Sequence, residues 1–196
     1  MKTQPGRKEI THQRIVETAA RAIRRGGFQG VGVADIMKEA GLTHGGFYAH
    51  FASRDALLCE ALAKAQADSR ARVAKAAAGR EARGASAFRA LVEQYLSEAH
   101  LGAREQGCAI AALVSEMPRQ SREVGRAAAR SVRDLVGAVR NSLHAKVTQH
   151  EAGVIAAQLV GALQLARALG DNPQGRGLLA ATRRALVARY DTQASR

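Results

Sequence analysis

Apolar positions along the chain recur at intervals of three and four and almost nowhere alternate, so the pattern predicts helices throughout. Ile15, Ala19, Ala22 and Ile23 mark a first helix, capped by Thr11 and ended by Gly26-Gly27; residues 1–10, with Pro5-Gly6, read as a mobile basic arm. A short helix over 33–40 follows, with Gly32 at its cap, Asp35 in its first turn and Gly41 suited to end it in the left-handed conformation. Thr43 caps a third helix over 44–50. Ser53 caps a long fourth, carried by Leu57, Leu58, Ala61, Leu62 and Ala65 and fading near Gly79; Cys59 lies beside that stripe and reads as packing. Phe88, Leu91, Val92, Tyr95, Leu96 and Ala99 predict one continuous fifth helix. After a polar break over 101–107, Cys108 to Met117 form a sixth, stopped by Pro118. Val124, Ala128, Val132, Leu135, Val136, Val139 and Leu143 mark a seventh. Thr148 and Glu151 have capping-box spacing and open an eighth that reaches about Leu169. Asp171-Asn172-Pro173 is a stop, and 176–190 supply a ninth with Leu178, Leu179, Leu186 and Val187. The expected fold is all-α with nine helices: an N-terminal three-helix domain over 1–52 and a six-helix domain over 53–196.

Composition narrows the function classes. The chain has 196 residues, and its 46% hydrophobic content separates it from disordered polyelectrolytes. The most apolar stretch, Ala152 to Ala166, is too short to span a bilayer, and the N-terminus has no apolar signal core, so a cytoplasmic protein without a membrane partner is expected. Cys59 and Cys108 make neither a disulfide framework nor a zinc set, and His44 and His50 lie on different faces; His144 and His150 are not at metal-ligand spacing with either cysteine. No phosphate loop, carboxylate pair or nucleophile–base motif stands out, so neither an enzyme nor a cofactor is expected. The net charge is +13, with nine basic and five acidic side chains in residues 1–55 and 21 and 12 in the remainder. This spread favours encounter with nucleic acid without locating a face.

The informative segment is Val33 to Phe51. Two short helices, amphipathic through Ile36, Met37 and Ala40 and through Phe47 and Phe51, meet at Gly41-Leu42-Thr43, the spacing of a helix-turn-helix. The second would present His44, Gly45, Gly46, Tyr48 and His50 outward. The two glycines admit a close duplex backbone, and Thr43 with the first amides can bind phosphate. His44 can reach a base edge or phosphate, and Tyr48 and His50 can donate to phosphate. Arg54 offers a cation to the backbone, with Arg14, Arg7 and Lys8 as helpers.

Several of these residues resemble the N-terminal signature of the tetracycline-repressor (TetR) family of transcriptional regulators. They are Ile36, Ala40-Gly41-Leu42-Thr43, Gly46, Tyr48, His50-Phe51, Ser53-Arg54-Asp55 and Leu57, preceded by Arg14-Ile15, Ala19-Ala20 and Gly27-Phe28. The resemblance covers roughly residues 11–62. Two positions depart from the family's habit. Gly32 stands where Thr or Ser often caps the second helix, and His44 follows the turn where Lys, Arg or a small residue is frequent.

The resemblance implies a homodimer whose recognition helices enter successive major grooves of a near-palindromic double-stranded operator, with centres about 34–36 Å apart. It implies a repressor, with the last two helices of each subunit forming the dimer interface. Val154, Ala157, Gly161, Leu165, Leu179 and Leu186 are the candidates there, on helices whose small residues allow close approach. It also implies a small-molecule pocket in the C-terminal half, whose candidate lining is Phe88, Tyr95, Cys108, Leu113, Met117, Leu135 and Val139 and whose ligand would be largely apolar. Cys108, at a helix start after Gly107, offers an alternative, electrophile or redox sensing. A ligand-independent architectural DNA binder is a further one.

Overall fold

The computed structural model describes residues 6–30, 32–143 and 147–191. Their helices are α1 (Arg7–Gly26), α2 (Val33–Glu39), α3 (Arg54–Glu81), α4 (Ala87–Tyr95), α5 (Glu98–Gly102), α6 (Ala109–Leu113), α7 (Arg122–Ser142), α8 (Gln149–Leu169) and α9 (Pro173–Tyr190). Two 3-10 segments, His44–Ala49 and Met117–Arg119, complete the set, and no strand occurs among the described residues. The all-α expectation therefore holds. His144 lies outside the described residues.

Local chemistry explains most boundaries. Ser53, Ser86, Ser97, Ser121 and Thr148 each accept a backbone N–H of the following turn through their hydroxyl oxygen. Asn172 accepts from Gln174 and Gly175, and Pro173 occupies the first helical position of α9, three residues ahead of the expected start. Gly41 ends the first half of the turn at φ +69, and Gly84 closes α3 at φ +88. The expected arm over 1–10 is corrected for its last four residues, while 1–5 lie outside the described residues: α1 begins at Arg7, and the Thr11 hydroxyl donates to the Arg7 carbonyl inside the helix instead of capping it. Apolar periodicity misses this start because the first turn is polar. The expected sixth helix is also shorter, a five-residue α6 followed by turns.

One core cluster joins Ile15, Ile23 and Phe28 to Leu62, Phe88, Val139, Leu159 and Leu186. The long α3 packs on α1 and on α4 and α7, so a single helix touches both the N-terminal helices and the C-terminal bundle. α8 lies between α7 and α9 with Ile155, Leu159 and Leu163 fully buried. Over its whole 21 residues α8 is long and apolar enough to cross a membrane by length and composition alone, which a count over Ala152 to Ala166 understated.

The expected continuous helix over 88–99 breaks at Leu96, and the break has a specific cause. The buried His100 bridges the elements on either side: its Nδ1 lies 2.7 Å from the Tyr95 carbonyl oxygen, and its Nε2 accepts the Cys108 N–H at 3.0 Å. The carbonyl can only accept, so Nδ1 carries the hydrogen and the ring is neutral. Arg167 of α8 closes the clamp by donating to the His100 carbonyl at 3.0 Å. Gly107 is required here, since a Cβ would fall 2.5 Å from the Ala103 carbonyl oxygen.

Burial lowers the His100 pKa from 6.5 to about 4. The unfolded chain binds this proton near pH 6.5 and the folded chain only near pH 4, so the site's contribution is complete above pH 6.5 and lost as pH falls toward 4. The shift corresponds to a loss of about 3 kcal/mol over that window. Urea unfolding of wild type and His100→Gln from pH 7.5 to 4 is expected to show a stability difference that shrinks on acidification; a pH-independent difference would contradict the clamp.

Candidate nucleic-acid interface and effector cavity

The segment that follows α2 is built on buried aromatics. Phe47 and Phe51 are buried and stack at 5.5 Å between centroids, and His12 of α1 stacks on Phe51 at 4.5 Å. His12 is held by Glu60 of α3, Nε2 to Oε2 at 2.7 Å. With Ile36 and Met37 buried beneath, this packing fixes His44–Ala49 on the surface. The expected α-helix there is instead 3-10, with Gly46 N–H donating to the Thr43 carbonyl at 3.1 Å. Two adjacent glycines and a six-residue run give an α-helix little support, and the tighter coil results.

The 3-10 period of three sorts the candidate residues by face. Phe47 points inward; Gly45 and Tyr48, three apart, share an outward face. Tyr48 is 72% exposed, resting its edge on Phe47 at 5.2 Å. Thr43, His44 and Gly45 are exposed, and the Thr43 side chain makes no cap bond. Neither Gly45 nor Gly46 has a positive φ, and a Cβ at Gly45 would meet nothing within 4 Å, so internal packing does not demand glycine at that position.

The other three candidates are turned partly inward, Gly46 among them against the outward expectation: it is half-buried, and a Cβ there would stand 3.7 Å from Met37 Cε. His50 is half-buried with its Nδ1 unpartnered, and burial, then the neighbouring His12 and Lys8, lower its pKa. Arg54 donates to the Phe28 carbonyl. That same residue's N–H donates to Glu116 Oε2 at 2.9 Å, so both backbone polar groups of Phe28 are held by side chains of other elements. Gly27 makes room for this: at φ +77, a Cβ would lie 2.3 Å from Glu116 Oε1. Arg25 adds a second tie, to Glu39 at 2.7 Å and Glu105 at 3.3 Å. The sequence offered no signal for Glu116 beyond a carboxylate near a helix end.

Between α3, α4 and α7 lies a cavity of about 350 Å³, within the size range of small-molecule sites. Of the expected lining, the structure brings Tyr95, Cys108 and Leu135 together there, with Gln66, Ser69, Val73, Ala77 and Leu91 added. Phe88, Leu113, Met117 and Val139 are corrected: they are buried core residues outside the cavity wall, Phe88 packing edge-on against Tyr190 at 6.0 Å. Apolar spacing marks burial and cannot distinguish a filled core from a lined void. Cys59 is half-buried in α3, where burial raises its pKa.

A second apolar groove, about 310 Å³, runs between α7 and α8 past Val132, Val136, Gly153, Val160 and Gly161. Beside it, Val154 is 55% and Leu165 60% exposed, and Ala157 is exposed with them. The expectation for α9 is corrected: Leu179 and Leu186 are buried within the subunit, on the face that packs against its own bundle.

With this geometry in hand, residues 15–61 match the family model described as bacterial regulatory proteins, tetR family. No curated protein is similar enough to count as a relative. Among solved structures, a TetR-family regulator from Agrobacterium tumefaciens is 23% identical, with 93% of this chain and 98% of that one covered and a TM-score of 0.70. Reduced NemR of E. coli is 19% identical over 88% and 95%, with a TM-score of 0.72. The TetR-family regulator SCO4454 of Streptomyces coelicolor is 24% identical over 91% and 93%, with a TM-score of 0.67. These likenesses carry the fold.

The Phe28 ties generate a test. Glu116→Ala leaves a partly buried N–H unpaired and is expected to lower stability by about 1–3 kcal/mol, whereas Glu116→Gln, which keeps an acceptor oxygen, loses under half as much. Urea unfolding checks the pair; equal losses would assign the role to bulk packing.

Proposed function

We propose, for a chain that is tetR-family by the sequence of its residues 15–61 and by the fold of its length, the function of a homodimeric repressor that binds a near-palindromic operator and leaves it when a small molecule occupies the α3–α4–α7 cavity. The family assignment makes it a DNA-binding transcriptional regulator; the dimer, the operator symmetry and ligand release are the reading advanced here. On this reading residues 1–52 form the DNA-binding domain and 53–196 the effector and dimerisation domain.

The observation that carries it is the outward face of the 3-10 segment. Tyr48 projects into solvent, Gly45 beside it has no internal reason to lack a side chain, and Thr43 and His44 flank it with unoccupied polar groups. Such a surface lets a phosphate backbone approach closely while His44 reaches a base edge. His50, half-buried, assists through its packing as much as its ring. Arg54 contributes positive charge while remaining tied to Phe28.

Dimerisation is supported by the exposed stripe Val154, Ala157 and Leu165 with Gly161 recessed between them, since apolar side chains so exposed on one helix face gain by mutual burial. The reading does not route through Leu179 or Leu186.

Selection of genomic fragments by the purified protein tests the function directly, with inverted half-sites as the expected yield. On a selected duplex, Tyr48→Phe is expected to weaken binding by about tenfold across sequences with thermal stability unchanged, the loss of one phosphate contact; unaltered affinity would remove Tyr48 from the interface. Leu165→Arg is expected to shift sedimentation from dimer to monomer and to abolish cooperative binding of both half-sites. A variant that remains dimeric would place the interface elsewhere.

A further inference from the structure

The cavity between α3, α4 and α7 has a chemically specific inner wall. Gln66 of α3 is only 5% exposed, and its Nε2 donates to the Ser131 carbonyl at 3.3 Å. That carbonyl can only accept, so the amide cannot be flipped, and Oε1 is left as a buried acceptor without a partner. Tyr95 of α4 also lines the cavity and is 3% exposed, and its hydroxyl lacks a well-formed hydrogen bond, with the Cys108 thiol beside it and the Arg167 charge nearby. Two buried polar atoms without partners on residues that line one void are uncommon in a folded interior.

The remaining wall is apolar through Val73, Ala77, Leu91 and Leu135. The charged residues that border the cavity are at its rim: Arg70 and Asp134 pair with each other at 2.8 Å, and Glu81 is exposed. Behind Tyr95, the His100 ring is neutral, and Arg167 directs its guanidinium at the carbonyls of His100 and Ala103. Burial also keeps the Tyr95 hydroxyl protonated, its pKa standing well above the ordinary value. A cation entering the inner end would lose its hydration and gain no counter-ion there, and an anion would find only Arg167 behind Tyr95, whose Nη2 is already given to two backbone carbonyls while its Nε is unpartnered.

We propose that the cavity takes an uncharged amphipathic molecule, with an apolar body against Val73, Leu91 and Leu135 and one O–H or N–H donor delivered to Gln66 Oε1, while the Tyr95 hydroxyl serves the same polar head. Its effect on DNA rests on the repressor reading given above; the binding chemistry does not. The fixed acceptor disfavours a carboxylate at this end, and the apolar wall disfavours an ammonium.

Three probes of common shape test this in the full-length protein: 4-propylphenol, propylbenzene and 4-propylbenzoate, titrated by calorimetry with and without bound operator duplex. 4-Propylphenol is expected to bind saturably about tenfold more tightly than propylbenzene, the difference one buried hydrogen bond makes, and the benzoate more weakly than the phenol. Gln66→Met keeps the bulk and removes the acceptor, so it is expected to bring phenol and hydrocarbon affinities within about threefold of each other. Tyr95→Phe, which removes only an oxygen, is expected to narrow the gap in the same direction and stands in if the Gln66 variant does not fold. Equal affinities in wild type, preference for the benzoate, an undiminished gap in both variants, or no saturable binding of the phenol would each overturn the proposal. Discrimination as expected without release of operator would leave the ligand chemistry standing and sink the effector reading; release by a ligand that ignores Gln66 and Tyr95 would do the reverse.

Discussion

The geometry of this protein depends on how one connecting residue satisfies its backbone. A chain leaving a helix must find partners for its N–H and C=O groups or lose the stability they represent. Phe28 buries its ring completely just after α1 ends at Gly26, and its two polar backbone groups are taken by Glu116 and Arg54, which come from separate elements. The first follows α6, whose start adjoins the cavity wall at Cys108; the second opens α3, whose middle forms another side of that wall. On the proposed reading, the DNA-contacting segment is therefore tied to elements that also border the cavity.

Much of this was legible from residue types and spacing. The caps at Ser53, Thr148 and Asn172 act as their chemistry requires, and Gly41 takes the left-handed conformation that lets α2 turn into the reading segment. The exposed set Thr43, His44, Gly45 and Tyr48 followed from the burial of Phe47 and Phe51, because a fixed inward face leaves little choice outward. What escaped has physical reasons. Tyr95, Leu96 and Ala99 continue an apolar period straight through the break at Leu96, since the break is made by a side chain reaching back, His100 to the Tyr95 carbonyl, and not by a change of pattern. The cavity divided the expected lining because Leu135 and Val139, one helical turn apart, face a void and a packed core respectively. Leu179 and Leu186 have the apolar spacing an interface stripe would have, yet they are buried within the subunit, on a helix that packs against α8 and α4.

The exposed apolar residues of α8 and the buried ones of α9 imply different tasks for two neighbouring helices. α9 closes the subunit: its N-terminus approaches α8 so tightly that a Cβ at Gly175 would stand 2.9 Å from the Ala166 carbonyl oxygen. α8 has Ile155, Leu159 and Leu163 for the interior and Val154 and Leu165 for the outside, two apolar stripes on one helix. A helix apolar on both sides is stable only where both are covered. Its apolar length therefore follows from a double burial, one half within the subunit and the other, on the proposed reading, against a second copy.

On the proposed reading, release from DNA is a question of differences. A ligand changes the reading head only to the extent that it binds one arrangement of α3, α4 and α7 better than another. Apolar packing alone discriminates weakly between arrangements, because the same side chains remain buried after a small shift. Hydrogen bonds discriminate strongly, since distance and angle decide whether they form. Gln66 and Tyr95 sit on different helices, so one polar head can satisfy both only at one separation of α3 from α4. Couplings between sites in proteins are typically about 1–3 kcal/mol, and a pair of hydrogen bonds made in one arrangement and strained in the other is enough to supply that. Because α3 continues without a break from Gln66 back to Arg54 and Ser53, a change in its seat at the cavity reaches the Phe28 carbonyl through a single rigid helix.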